Sequence, residues 1–168
     1  MFDENEQMLS QRLAELRQYE IVSNETGLVR KDGRYIKFYL CGANKLDMSF
    51  FYKAYDQMES NVSHLIFIFT YATIQIKKLK VYKDVLRIEF FSVSELQRLL
   101  TGNRLIPPHR LVDETTTAEI VRRFGKENLP HILQTDPIVR LYDFPLDAVI
   151  EIERMDTVYY RLVVPDES

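Results

Sequence analysis

The side chains best placed to do chemistry in this 168-residue sequence are three histidines, one cysteine and a single acid inside a strand-like run. His64, His109 and His131 could ligate a metal or move protons. They are scattered, however, and none has a second ligand at metal-binding spacing, so each is expected to be structural or solvent-facing. The lone Cys41 excludes an internal disulfide and any cysteine-based zinc site, and points to a reducing compartment. A metal-dependent nuclease would need acids converging from central strands. The strand-like runs 34–41 and 63–70 contain none, and Glu89, within 85–93, has no evident partner in the sequence. The five glycines are dispersed, Gly125-Lys126 lacks the upstream pattern of a phosphate loop, and there is no nucleophile elbow. The expectation is therefore no catalytic residue, no metal, no cofactor and no small-molecule substrate. One basic run, Lys77, Lys78, Lys80, Lys83 and Arg87, could face nucleic acid, although a solvated helix face is the simpler account of it.

Composition narrows the class. A hydrophobic share of 46% with 28% charged residues is that of a globular chain, long enough for one ordinary domain or two small ones. The acidic start, Met1-Phe2-Asp3-Glu4-Asn5-Glu6, does not read as a signal peptide, and the apolar run 65–69 is too short to cross a bilayer, so no membrane partner is expected. Net charge is −3 and unevenly spread: residues 1–104 carry 15 Lys/Arg against 13 Asp/Glu, whereas residues 105–168 carry 7 against 12. A chain that gripped DNA unaided would be clearly basic.

The elements that must position these residues follow from periodicity. Residues 3–19 predict an amphipathic helix through Leu9, Leu13, Leu16 and Tyr19, with Asp3 as cap. Gly27 and Asp32-Gly33 punctuate the chain before a strand at 34–41. A helix at 47–58 and a strand at 63–70 follow, the strand apolar on both faces as in an α/β sheet. Residues 73–83 fit a strand through Ile74 and Ile76 or a helix through Ile76, Leu79 and Lys83; strand–helix–strand order favours the helix. A strand at 85–93 and a short helix at 94–100, capped by Ser94 and stopped by Gly102, complete a small three-stranded α/β domain over 1–104.

Residues 105–168 predict a compact α+β domain. Asp113 precedes the helical stripe Thr117, Ile120, Val121 and Phe124, with Gly125 just past its end. Asp136-Pro137 starts a short helix with Ile138, Leu141 and Tyr142 as its buried side, ended by Asp143-Phe144-Pro145. Residues 148–154 and 157–164 form a closing antiparallel hairpin. A two-residue turn would set Glu151 and Glu153 beside Val158, Tyr160 and Leu162. A three-residue turn instead pairs Ile152 with Tyr160 and Glu151 with Arg161, and is the expected register.

Four motifs in this last third occur in a recognisable order: Leu105-Ile106-Pro107-Pro108-His109, Leu129-Pro130-His131-Ile132, Asp136-Pro137-Ile138-Val139-Arg140 and Tyr160-Arg161-Leu162-Val163. Together they resemble the assembly domain of the fifth-largest common subunit of eukaryotic-type DNA-directed RNA polymerases, a family whose archaeal members lack the N-terminal jaw domain. His131 departs from that family's usual arginine, Ile74-Gln75 from its Pro-Ser, and the closing hairpin lacks its longer connection. The resemblance implies a noncatalytic transcription subunit. Its C-terminal domain would dock on the largest polymerase subunit, and a jaw-like N-terminal domain would lie near downstream double-stranded DNA.

In that reading Pro107, His109, Leu129, Pro130, Asp136, Pro137, Arg140, Tyr160 and Arg161 form or support the subunit interface, and Lys77, Lys78, Lys80 and Lys83 are DNA-proximal. Asp136 and Pro137 could equally serve only to start a helix, and Arg161 only to pair with Glu151. The short jaw suits the polymerase of a large DNA virus or a divergent protist, and implies work in the nucleus, or in a cytoplasmic viral factory or virion. A stand-alone transcription-associated interaction module using the same fold is the alternative, with a metal-dependent nuclease behind it.

Overall fold

The computed structural model describes residues 4–101 and 105–167, and the chain divides into two compact units, 1–101 and 102–168. The positions expected to bound two helices, Asp3 and Gly102, lie outside the described residues.

The first unit is built on a five-stranded sheet, two strands more than expected. α1 (Glu4–Leu16) leads into β1 (Glu20–Ser23), β2 (Leu28–Lys31) and β3 (Arg34–Leu40). α2 (Met48–Gln57), β4 (Val62–Phe69), a 3₁₀ turn (Ile76–Tyr82), β5 (Arg87–Ser92) and α3 (Val93–Leu100) follow. The order is β1-β2-β3-β4-β5, with β3, β4 and β5 parallel and β1 and β2 added antiparallel. The added strands are short and β1 is exposed over its first three residues, so no apolar alternation announced them. Asp32-Gly33, at φ 51° and 75°, closes the β2–β3 hairpin as a two-residue turn of the primed kind.

Burial explains why β4 reads as a continuous apolar run. Leu65 and Phe67 face α2, where they meet Phe51 and Ala54. Ile66 and Ile68 lie on the opposite face, which α1 and α3 cover, and both are fully buried. Asp47 caps α2 by accepting from Phe50 N at 2.9 Å. Ser92 rather than Ser94 caps α3, accepting from Glu95 N at 3.1 Å, because β5 runs directly into the helix and leaves Ser92 as the last extended residue. The helix expected over 73–83 is the tighter, later 3₁₀ turn, held down by buried Leu79 and by Tyr82, whose ring lies 4.9 Å from that of Tyr55.

In the second unit, β6 (His109–Leu111), α4 (Glu114–Phe124), β7 (His131–Leu133), α5 (Pro137–Tyr142), β8 (Val149–Arg154) and β9 (Thr157–Val164) form a sheet ordered β6-β8-β9-β7, flanked by two helices. β6 and β7 are three residues each, too short to show a period. Asp113 caps α4 through Thr116 N at 2.8 Å, and Gly125 leaves it at φ 80°. Asp136 accepts from Ile138 N at 2.9 Å with Pro137 in the first turn of α5. The buried side of α5 is Val139 and Leu141; Ile138 and Tyr142 are only half-buried.

The closing hairpin overturns the expected register. Arg154 pairs with Thr157, so the turn is Met155-Asp156, two residues with φ 48° and 62°. Ile152 faces Tyr159, Glu151 faces Tyr160, and Arg161 faces Ile150. The expectation assumed one apolar and one wet face. Both faces are covered instead: Ile150, Ile152 and Val163 pack with Val139 and Phe144, and Val149 and Leu162 pack on the other side with Ile120 and Leu129. With two buried faces, apolar alternation cannot choose the register.

Candidate functional site

In the first unit the strand acid does have partners. Glu89 accepts from Arg17 Nη1 and Nη2 at 3.1 and 2.7 Å, from His64 Nε2 at 2.8 Å, and lies 3.0 Å from Arg87 Nη2. A carboxylate can only accept, so the proton sits on His64 Nε2. Burial alone would raise Glu89, but the bonds from His64 and Arg17 outweigh it and hold the carboxyl well below the usual carboxylate range. Burial lowers His64 despite the bond to Glu89, so the imidazole stays neutral near pH 7. Arg17 is fully buried just beyond α1 and was not singled out in the sequence, because an arginine beside the stripe residues Leu16 and Tyr19 carries no local sign of burial. Its guanidinium stays charged, its Glu89 bonds overcoming the burial that opposes them. Cys41 is buried, and burial with the nearby Glu6 charge pushes its thiol up to about 12, so it is no nucleophile at neutral pH. Among the described residues no group of three or more His, Cys, Asp or Glu could hold a metal ion.

The lysines occupy one exposed ridge. Lys77, Lys78 and Lys80 project from the 3₁₀ turn, and Lys83 follows it. Val81, on the same turn, is 78% exposed. Arg87, grouped with them in the sequence, turns instead to Glu89.

In the second unit the structure gathers some of the interface candidates and separates others. Pro107, His109, Asp136 and Arg161 line one open groove of about 760 Å³, together with His131, Ile152, Arg154 and Tyr159. The groove follows from the hairpin register. Pairing places Ile152, Arg154, Tyr159 and Arg161 on one face, with His109 opposite Ile152. α5 covers one end of this face and leaves the other open. His109 donates from Nδ1 to Pro107 O at 2.7 Å, which fixes its tautomer, and Arg161 donates to His131 O at 3.3 Å rather than pairing with Glu151. Glu151 lies instead beside Arg110, which sits 2.7 Å from Glu153 and 3.8 Å from Glu151 on the opposite face.

Tyr160 lies on that opposite face, and Leu129 is buried beneath it. Pro130 and Pro137 are exposed outside the groove lining, and Arg140 is half-buried on α5. Arg154 and Tyr159 had not been singled out. Their shared face depends on a turn length that sequence reasoning set one residue too long.

Residues 99–163 match the family described as RNA polymerase Rpb5, C-terminal domain. Over 72 residues the chain is 37% identical to the DNA-directed RNA polymerase subunit Rpo5 of Thermococcus celer, covering 39% of this chain and 88% of that protein. Over 74 residues it is 30% identical to DNA-directed RNA polymerase subunit 5-like protein 1 of Arabidopsis thaliana, covering 43% of this chain and 35% of that protein. A likeness spanning nearly all of one polymerase subunit, together with the family match over residues 99–163, places this chain in the Rpb5 family of DNA-directed RNA polymerase subunits.

Proposed function

We propose that the chain is a noncatalytic subunit of a multisubunit DNA-dependent RNA polymerase. Its second unit docks on the largest subunit, and its first unit lies as a jaw beside the entering downstream duplex. The observation that carries the reading is the likeness to almost the whole of an Rpo5 subunit with the family match over residues 99–163, together with the convergence of Pro107, His109, Asp136 and Arg161 on one open groove. A noncatalytic role is supported by the state of the reactive side chains. Glu89 and His64 are committed to each other, and Cys41 holds a buried thiol. The charge division supports the placement of the units: residues 105–168, at −5, suit a protein partner, while the exposed lysine ridge suits a position near phosphates without a grip on them. The protein would then act wherever its polymerase transcribes, in the nucleus or in a cytoplasmic factory.

Affinity purification of the tagged chain tests the reading. It should bring down the largest polymerase subunit at unit stoichiometry. Recovery of the chain free of every polymerase subunit would refute it, and magnesium-dependent cleavage of DNA by the purified chain would refute the noncatalytic role.

A further inference from the structure

We propose that the groove on the Ile152–Arg161 face receives an extended segment of the partner subunit carrying two carboxylates four residues apart, one for Arg154 and one for Arg161. The inference rests on the docking reading above and specifies the chemistry of the partner. Its first support is charge. Residues 105–168 sum to −5, yet the groove is lined by Arg154 and Arg161 against one acid, Asp136, whose carboxylate caps α5. On the other face Arg110 is neutralised by Glu153, whereas Arg154 has no carboxylate partner among the described residues and Arg161 bonds only a backbone carbonyl there. Exposed guanidiniums without carboxylates, set in an acidic surface, favour a carboxylate from outside.

The second support is spacing. Arg154 is level with Thr157, and Arg161 lies four residues further along β9 on the same face. At ~3.3 Å per residue the two guanidinium-bearing positions are offset by about 13 Å along the strand direction, the distance spanned by residues i and i+4 of an extended chain. Between them lie buried Ile152 and half-exposed Tyr159, an apolar floor suited to an aliphatic side chain at i+2. The recognised pattern is therefore acid–any–apolar–any–acid. A nucleic acid strand fits less well, because its uninterrupted phosphates would meet Asp136 in the groove and the negative surface around it.

Fluorescence anisotropy on the full chain tests the pattern. The probe is a labelled peptide containing Asp-Thr-Leu-Thr-Asp, and the control holds the same residues with the two acids adjacent. The spaced peptide should bind more tightly than the control. Its affinity should fall at least tenfold in the Arg154→Gln/Arg161→Gln variant, survive largely in Arg154→Lys/Arg161→Lys, and be unmoved by Arg122→Gln/Arg123→Gln on α4. Equal binding of both peptides, indifference to the arginine substitutions, or displacement of the probe by single-stranded DNA of equal charge overturns the assignment.

Copurification separates this failure from that of the docking reading. If the wild-type chain recovers polymerase subunits and the Gln/Gln variant recovers them equally well, the groove is wrong and the subunit stands. If the wild-type chain recovers none, the docking reading falls and takes this one with it.

Discussion

At the scale of single residues, the Arg17–Glu89–His64 cluster places an ion pair inside the first unit. Arg17 is fully buried, and its two bonds to Glu89 are bidentate, the geometry that best repays desolvation of a guanidinium. Removing the acid leaves that charge buried without its partner, so Glu89→Gln is expected to destabilise the fold by about 3 kcal/mol in urea unfolding. The paired replacement Arg17→Met/Glu89→Leu should cost clearly less than the two single changes added together, because it removes both charges at once.

The pH dependence has one sign. Glu89 is held below its ordinary value of 4.5 and His64 below 6.5, so at both sites the unfolded chain binds protons more readily than the folded one. The cluster's contribution to stability is therefore complete above pH 6.5, falls as pH drops through His64's folded value, and falls again through the acid range as Glu89 is protonated. Thermal melts of the wild-type chain from pH 7.5 to 3.5 should show this decline, and Glu89→Gln should show a smaller one below pH 4.5. A wild-type melting temperature flat across that window would count against the cluster.

At the scale of elements, the closing hairpin shows what was legible in the sequence and what was not. The strands at 148–154 and 157–164, the Asp136-Pro137 helix start and the double-sided β4 could be read, because capping chemistry and apolar runs are local signals. The register could not, because Val149 and Ile150 are both fully buried, on opposite faces. Met155-Asp156 gives no help either: both residues sit at positive φ without the Asn-Gly chemistry that such a turn favours. The groove went unread for the same reason, since Arg154, Tyr159 and Arg161 meet only in the two-residue register.

That mismatch makes a prediction. Met155→Asn/Asp156→Gly should relieve a conformation costing non-glycine residues ~1 kcal/mol or more each, and raise stability by about 1 kcal/mol in urea unfolding. A two-residue type I′ turn is the only register that gains from this change; a three-residue turn would lose stability. Asp136 separates its two possible roles in a similar way. Asp136→Ala removes a cap worth about 1 kcal/mol, whereas Asp136→Asn keeps the cap and loses the charge. Unchanged recovery of polymerase subunits with Asp136→Asn, and loss only with Asp136→Ala, would make this residue a helix starter and nothing more.

At the scale of the whole molecule, charge is divided along the chain in a way that gives the two units different sensitivities. Residues 1–104 sum to +2 with four lysines on one exposed ridge, while residues 105–168 sum to −5 around a groove with two arginines. Surface lysines of this kind contribute little to folding. Replacing Lys77, Lys78, Lys80 and Lys83 together by alanine should leave urea stability within about 0.5 kcal/mol and subunit recovery unchanged. If the ridge lies beside duplex DNA, the assembled polymerase should nevertheless release downstream DNA at lower salt. The slope of log affinity against log salt should also flatten by roughly one for each phosphate that a lysine no longer neutralises. Arg154→Gln/Arg161→Gln should do the reverse, lowering recovery of the chain with polymerase while leaving the salt slope of whatever complex still forms. A lysine-free ridge with unaltered DNA retention and salt slope would remove the first unit from the downstream duplex, whatever the second unit binds.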